Sequence, residues 1–202
     1  PYERDIRARE TVVLCGWNQL TARIARELDH YLPSGSHIDV LVEATQKSAA
    51  ADGLSLQLNN ATLELYACVA RDHAPLLHRL CGRADHVMIL SPVDAGTASE
   101  ADARALVTML AAREAIRRSG RNATLVTELL DERNAELAPR ASAADFIISE
   151  RLSSLLLTQV AENQHLAEVY GTLLAPEGGQ LYCKPLHAFT SRCGSVRFAE
   201  LV

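Results

Sequence analysis

The sequence predicts an α/β fold: a Rossmann-like, doubly wound parallel sheet of six strands, followed by a crossover helix pair and a truncated C-terminal subdomain. Three observations predict it. Apolar runs and helical patterns alternate six times between residues 11 and 148, the order that builds a parallel sheet with helices on both faces. Residues 12–15 and 86–91 (HVMILS) are apolar without alternation, as strands buried on both faces are. The first of these runs meets Gly16 and then an amphipathic helix, in TVVLCGWNQLTARIARELD; strand, glycine turn and helix open a Rossmann unit.

The first helix follows from Leu20, Ile24, Leu28 and Leu32, a four-residue step that makes one apolar stripe. Pro33-Ser34-Gly35-Ser36 is a turn, and residues 37–42 form a second strand with Ile38, Val40 and Val42 on one face and Glu43 at its carboxyl end. Residues 46–60 are polar and weakly helical. Leu63, Leu65, Ala67 and Val69 alternate as a third strand, 74–80 is a short helix, and 86–91 is the fourth strand. After the loop Ser91-Pro92-Val93-Asp94-Ala95-Gly96, Ser99 with Asp102 three residues on reads as a capping box. It opens a long helix that ends at Ser119-Gly120, with an apolar face of Leu106, Leu110 and Ile116 helped by Ala103 and Val107. Residues 123–126 are the fifth strand, 131–138 a helix ended by Pro139, and 146–148 the sixth strand.

The chain then changes character. Leu152, Leu155, Leu156, Leu157 and Val160 on one helix, and Leu166, Val169, Tyr170, Leu173 and Leu174 on the next, are too many apolar positions for helices with one solvated side. A subunit interface is expected there, carried by Leu152, Leu155, Leu156, Val160, Leu166, Val169, Tyr170 and Leu173. Residues 178–202 hold one strand, 180–184, and a fragment, 196–202, too little for an independent domain. The predicted organisation is a lead-in at 1–10, a Rossmann-like domain at 11–150, the helix pair at 151–175, and the start of an incomplete subdomain at 176–202.

A net charge of -5 over 202 residues argues against a nucleic-acid partner, which needs a basic face. The densest basic group, Arg113, Arg117, Arg118 and Arg121, falls at a helix end, where cations favour the dipole. Five scattered cysteines without a C-x-x-C pair suit a reduced compartment. Cys183, His187 and Cys193 lack a fourth ligand and match no zinc spacing. No apolar stretch is long enough for a membrane span. There is no Walker loop, no G-x-S-x-G elbow, and no tyrosine with a lysine four residues on, so no enzyme motif is in view.

Gly16, Trp17 and Asn18 lie at the carboxyl end of the first strand, where open parallel sheets bind ligands. Glu43 ends the second, the place from which an acid reaches a ribose. The four form a candidate ligand pocket, with a structural turn and a solvated strand-end charge as the alternatives. Where a dinucleotide fingerprint has three glycines, this chain has Gly16, Asn18 and Thr21. Asn18 can satisfy the amides a phosphate would use, and Thr21 adds bulk where helix and strand pack closely, which argues against NAD. Asp94, Glu100 and Asp102 gather after the fourth strand as a candidate cation site; carboxylates in a first helical turn are also explained by the dipole.

The Cys-Gly-Trp-Asn turn, LDHYLPSGS, EADARALVTMLAARE, TELLDERNAEL, ADFIISERLSSLLLTQVAEN and EGGQLYCKP follow one another along nearly the whole chain. In these segments and in their order the sequence resembles the RCK (regulator of potassium conductance), or TrkA-N type, regulatory domains of the CASTOR and POLLUX class of ion channels. The resemblance implies a transmembrane pore domain elsewhere, and RCK units that assemble into a gating ring at the cytoplasmic face of a membrane. It implies a ligand, calcium or a nucleotide, whose binding is coupled to conduction without catalysis, and a helix pair that crosses to a neighbouring unit. Fold alone also permits a fragment of an NAD-dependent oxidoreductase.

Overall fold

The computed structural model describes residues 8–92, 96–137 and 146–175. Strands β1 (Thr11–Cys15), β2 (Ser36–Glu43), β3 (Ala61–Cys68), β4 (His86–Ile89), β5 (Thr124–Leu129) and β6 (Phe146–Ile148) form one sheet. Its order is β3-β2-β1-β4-β5-β6, and every pairing is parallel. The sheet is therefore the Rossmann-like one the alternation predicts. Leu14 sits opposite Val40 on one side and Met88 on the other, so β1 is central and the strand order reverses between it and β4. Ligands of open parallel sheets bind beyond the carboxyl ends at such a reversal.

The pleat of β1 sorts its side chains between two cores. Val12 and Leu14 pack with Ile38, Val40, Ala25 of α1 (Thr21–Tyr31) and Ala50 of α2 (Lys47–Gly53). Val13 and Cys15 face the other way, toward Leu77 and Leu80 of α3 (Ala70–Cys81) and Ala105, Met109 and Ala112 of α4 (Ala98–Ser119). Each such fully buried Val or Leu contributes about 1.5–3 kcal/mol relative to exposure.

Several elements depart from the sequence expectation. The stripe of α4 that packs inward is Ala101, Ala105, Met109, Ala112 and Ala115; Leu106 and Ile116 are half-buried, while Val107 and Leu110 are 68% and 59% exposed. Alanines let the helix lie close to the sheet, and larger residues are displaced to its flanks. The capping box is Thr97 with Glu100, two residues before Ser99 and Asp102; Gly120 ends the helix in the left-handed region, at φ 69°. On α1, Thr21, Ala25 and Asp29 are buried and Leu20 is exposed, so the inward face is rotated from the leucine stripe. The Asp29 carboxylate accepts the backbone N–H groups of Asn59, Asn60 and Ala61 at 2.7–2.9 Å, which fixes the entry to β3. α3 begins at residue 70 rather than 74, so Pro75 lies inside the helix and not at its start, and residues Glu132–Leu137 form a 3-10 helix rather than an α-helix.

By its internal contacts the chain divides into two compact units, residues 1–159 and 160–202, and the division falls within α5 (Ser149–Glu162). Neither α5 nor α6 (Leu166–Leu174) has a buried residue. Leu152, Leu155, Val169 and Leu173 are exposed, Leu157 71% so, and Leu156, Val160, Leu166 and Tyr170 are half-exposed. Among the described residues no helix is long and apolar enough to cross a membrane. The strand expected at 180–184, the fragment 196–202, the helix stop at Pro139, and Asp94, Cys183, His187 and Cys193 lie outside the described residues.

Candidate functional site

The turn from β1 into α1 is held from three sides. Gly16 has φ 101°, its N–H donates to the Leu41 carbonyl at 2.9 Å, and a Cβ there would lie 2.5 Å from the Leu90 carbonyl oxygen. Only glycine fits this approach of backbone to backbone. Asn18 is buried. Its Oδ1 accepts the Leu20 N–H at 2.9 Å and its own N–H donates to Thr21 Oγ1 at 2.9 Å. Its Nδ2 donates to the Ser91 carbonyl and to Glu128 Oε2, both at 3.1 Å. The chain's own side chain thus takes an amide at the helix start, where a pyrophosphate would be received.

Glu128, buried on β5, gathers the neighbouring elements. Its Oε2 also accepts the Ser91 N–H at 3.2 Å, and its Oε1 accepts the Ser149 hydroxyl at 2.7 Å. A phosphate within about 4 Å of this carboxylate would meet about 4 kcal/mol of repulsion per unit charge at an effective dielectric of about 20. Next to it, Asp102 of α4 is also buried. Its carboxylate accepts the N–H groups of Leu130 and Asp131 at 2.8 and 3.0 Å, Asn134 Nδ2 at 2.7 Å and the Ser91 hydroxyl at 3.3 Å. Asp102 therefore pins the segment after β5 to the long helix.

The four predicted pocket residues border two clefts. Gly16 and Glu43 line one of about 410 Å³ over the carboxyl ends of β1, β2 and β4, walled by Leu41, Ile89, Leu90, Pro92 and Val107. Glu43 forms an ion pair across its mouth with Arg104 of α4, and it also caps the 3-10 turn Ala44–Gln46. His73 lies on the wall, and burial pushes its imidazole pKa down, so it is neutral at pH 7. Cys15 and Cys68 form part of the lining; Cys15, Cys68 and Cys81 are buried, reduced thiols. The Cys15 pKa is raised by its hydrogen bond with Cys81 and by burial, which leaves it a protonated, unreactive thiol. Trp17 and Asn18 line a second cleft of about 570 Å³ with Gln19, Thr45, Ala49 and Gly53.

Of the candidate cation ligands, Glu100 and Asp102 are engaged separately. Glu100 accepts the N–H and hydroxyl of Thr97 at 3.0 and 3.1 Å at the exposed helix start, and Asp102 has the four donors named above. Among the described residues no group of three or more His, Cys, Asp or Glu side chains is arranged to hold a metal ion. Sequence reasoning missed Ser91, Arg104, Glu128 and Ser149. A glutamate within the buried strand TLVTEL was the available signal for Glu128, because a buried charge must have partners. Arg104 carried none, since its partner is 61 residues away.

No protein-family model matches the chain. It is 20% identical over 227 residues to the probable ion channel CASTOR of Oryza sativa subsp. japonica, an alignment covering 96% of this chain and 25% of that protein. It is 23% identical over 210 residues to the ion channel DMI1 of Medicago truncatula, covering 87% and 24%. To the ion channel POLLUX of Lotus japonicus it is 23% identical over 214 residues, covering 87% and 23%. The chain spans about a quarter of the length of the curated relatives it matches. Over most of its length, therefore, the chain is a relative of the CASTOR and POLLUX ion channels.

Proposed function

We propose that the chain is an RCK-type regulatory domain of an ion channel, placed at the cytoplasmic face of a membrane, that assembles with like units into a gating ring and couples ligand binding to conduction. The observation that carries this reading is the set of exposed leucines on α5, Leu152, Leu155 and Leu157, on a Rossmann-like domain related to ion channels. Apolar surface of that kind is stabilised by a partner. The cleft beneath Glu43 and Arg104 is the place for a regulatory ligand. Of the two classes the resemblance implies, calcium and a nucleotide, a nucleotide would meet Asn18 and Glu128 where its phosphates belong. A ligand biases the attached pore only by its differential affinity for the two states of the ring. An NAD-dependent oxidoreductase has the fold alone in its favour.

Native mass spectrometry and light scattering on the chain test the assembly. The wild type should associate, and Leu152→Glu with Leu155→Glu should leave a folded monomer by circular dichroism. A wild type that stays monomeric at about millimolar concentration, near the weak end of specific association, would overturn the reading. Calorimetric titration with NAD, with hydride transfer assayed alongside, separates the two classes, since turnover would establish an enzyme.

A further inference from the structure

The two oxygens of Glu128 serve two different parts of the domain. Oε2 accepts from Asn18 Nδ2 and the Ser91 N–H, and so is oriented by the β1–α1 turn and the end of β4. Oε1 accepts from the hydroxyl of Ser149, the first residue of α5, at 2.7 Å, the shortest of the three bonds. The side chain is buried, so water does not replace a lost donor freely, and a carboxylate that loses its donors on one oxygen no longer holds its orientation on the other. Ser91 ties the same group further in: its hydroxyl donates to the Glu128 carbonyl at 3.1 Å and to Asp102 at 3.3 Å.

We propose that Glu128 is a positioning residue that links the β1–α1 turn mechanically to the start of α5, so that a displacement of Asn18 or Ser91 is transmitted to the leucine-bearing helix. Leu90, next to Ser91, lines the 410 Å³ cleft together with Gly16, next to Trp17 and Asn18. A molecule in the cleft that displaces Leu90 displaces the adjacent Ser91 N–H, a donor to Glu128 Oε2, and α5 responds through Oε1. The regulatory meaning of this link rests on the assembly reading above; the link itself is a property of one chain.

Hydrogen exchange followed by mass spectrometry on the full chain at high dilution tests it, with exchange at residues 153–156, whose amides have their acceptors in the first turn of α5, expressed as a ratio to β3, on the far side of the sheet. Asn18→Ala should raise that ratio about twofold or more, the low end of the coupling found between residues in one hydrogen-bond network. Ser149→Ala should raise it as well, and the double variant should add little to either single change because both break the same link. Glu128→Gln, which keeps the shape and removes the charge, should reproduce the effect. An unchanged ratio in Asn18→Ala, or single-variant effects that multiply independently, would overturn the proposal. Because the ratio is read within one chain, failure to assemble would leave this result intact, and loss of the coupling would leave the assembly result intact.

Discussion

Replacing Gly16 by alanine separates a glycine kept for its backbone from one kept for a phosphate. The residue sits at φ 101°, where an L side chain is strained by about 1–3 kcal/mol. The new Cβ would lie 2.5 Å from the Leu90 carbonyl oxygen, which is backbone and has no rotamer to yield. Relief requires β1 and the end of β4 to part where Leu90 N–H donates to the Cys15 carbonyl at 2.8 Å, which weakens a bond contributing about 1 kcal/mol. Together these destabilise the domain by about 2–4 kcal/mol, a large part of the 5–15 kcal/mol that holds a typical domain. At about 2–4 °C per kcal/mol for a chain of this size, the melting temperature should fall by about 4–16 °C. Urea unfolding followed by circular dichroism should show a lower midpoint at unchanged slope. A loss below about 1 kcal/mol would mean that neither strain nor contact constrains the turn, and the glycine would need a ligand to explain it.

Removing the Asp102 carboxylate takes the acceptor from three half-buried donors, while the Ser91 hydroxyl keeps the Glu128 carbonyl, so Asp102→Ala should cost about 3 kcal/mol in urea unfolding, and Asp102→Asn, which keeps an acceptor, visibly less. Since Asp102 and Glu100 are already engaged, millimolar calcium should leave the melting temperature of the wild type in place; a rise would support a cation site at these carboxylates. Glu114 is held at a pKa of about 2 by hydrogen bonds from Arg117 and Arg118. Its folded value is depressed, so its contribution to stability is present above the usual 4.5 and is lost as pH falls from there toward 2. A carbon-detected NMR titration should find it ionised at pH 3 in low salt, with a higher apparent pKa in high salt because the group is on the surface.

Period and run length made the sheet legible, and both failed where they carry no information. A strand buried on both faces must be apolar throughout, which marks β1, and the alternation in β2 marks Ile38, Val40 and Val42. On α4 the same logic misplaced the inward face. Helical period points the large residues at the sheet, but a helix that packs closely has to present small ones, and Ala101, Ala105, Ala112 and Ala115 do so. A stripe of alanines has little hydrophobic contrast with its surroundings, and only the distance between helix and sheet reveals it. The capping box slipped by two residues for a related reason: Thr97 with Glu100 and Ser99 with Asp102 have the same spacing, and what distinguishes them is that the Asp102 carboxylate is drawn inward by Leu130 and Asp131.

At the switch point the sequence shows which groups a dinucleotide would need and that two of them are absent, but not what stands in their place. Asn18 alone is consistent with a plain structural turn or with an altered pocket. Its amide nitrogen reaches Glu128 across 110 residues of sequence, and that pairing converts a missing glycine into a charged, filled cradle. The distinction bears on function. An empty cradle would need only a loop movement to admit a nucleotide, whereas this one must first give up the Asn18 bonds to Leu20 and Glu128 and then accept a phosphate beside a carboxylate. The carboxylate that receives Asn18 on one oxygen accepts the Ser149 hydroxyl, at the start of α5, on the other. On the link and the assembly proposed above, whatever opens the switch point would also loosen the start of the helix that bears the exposed leucines, because one carboxylate serves both.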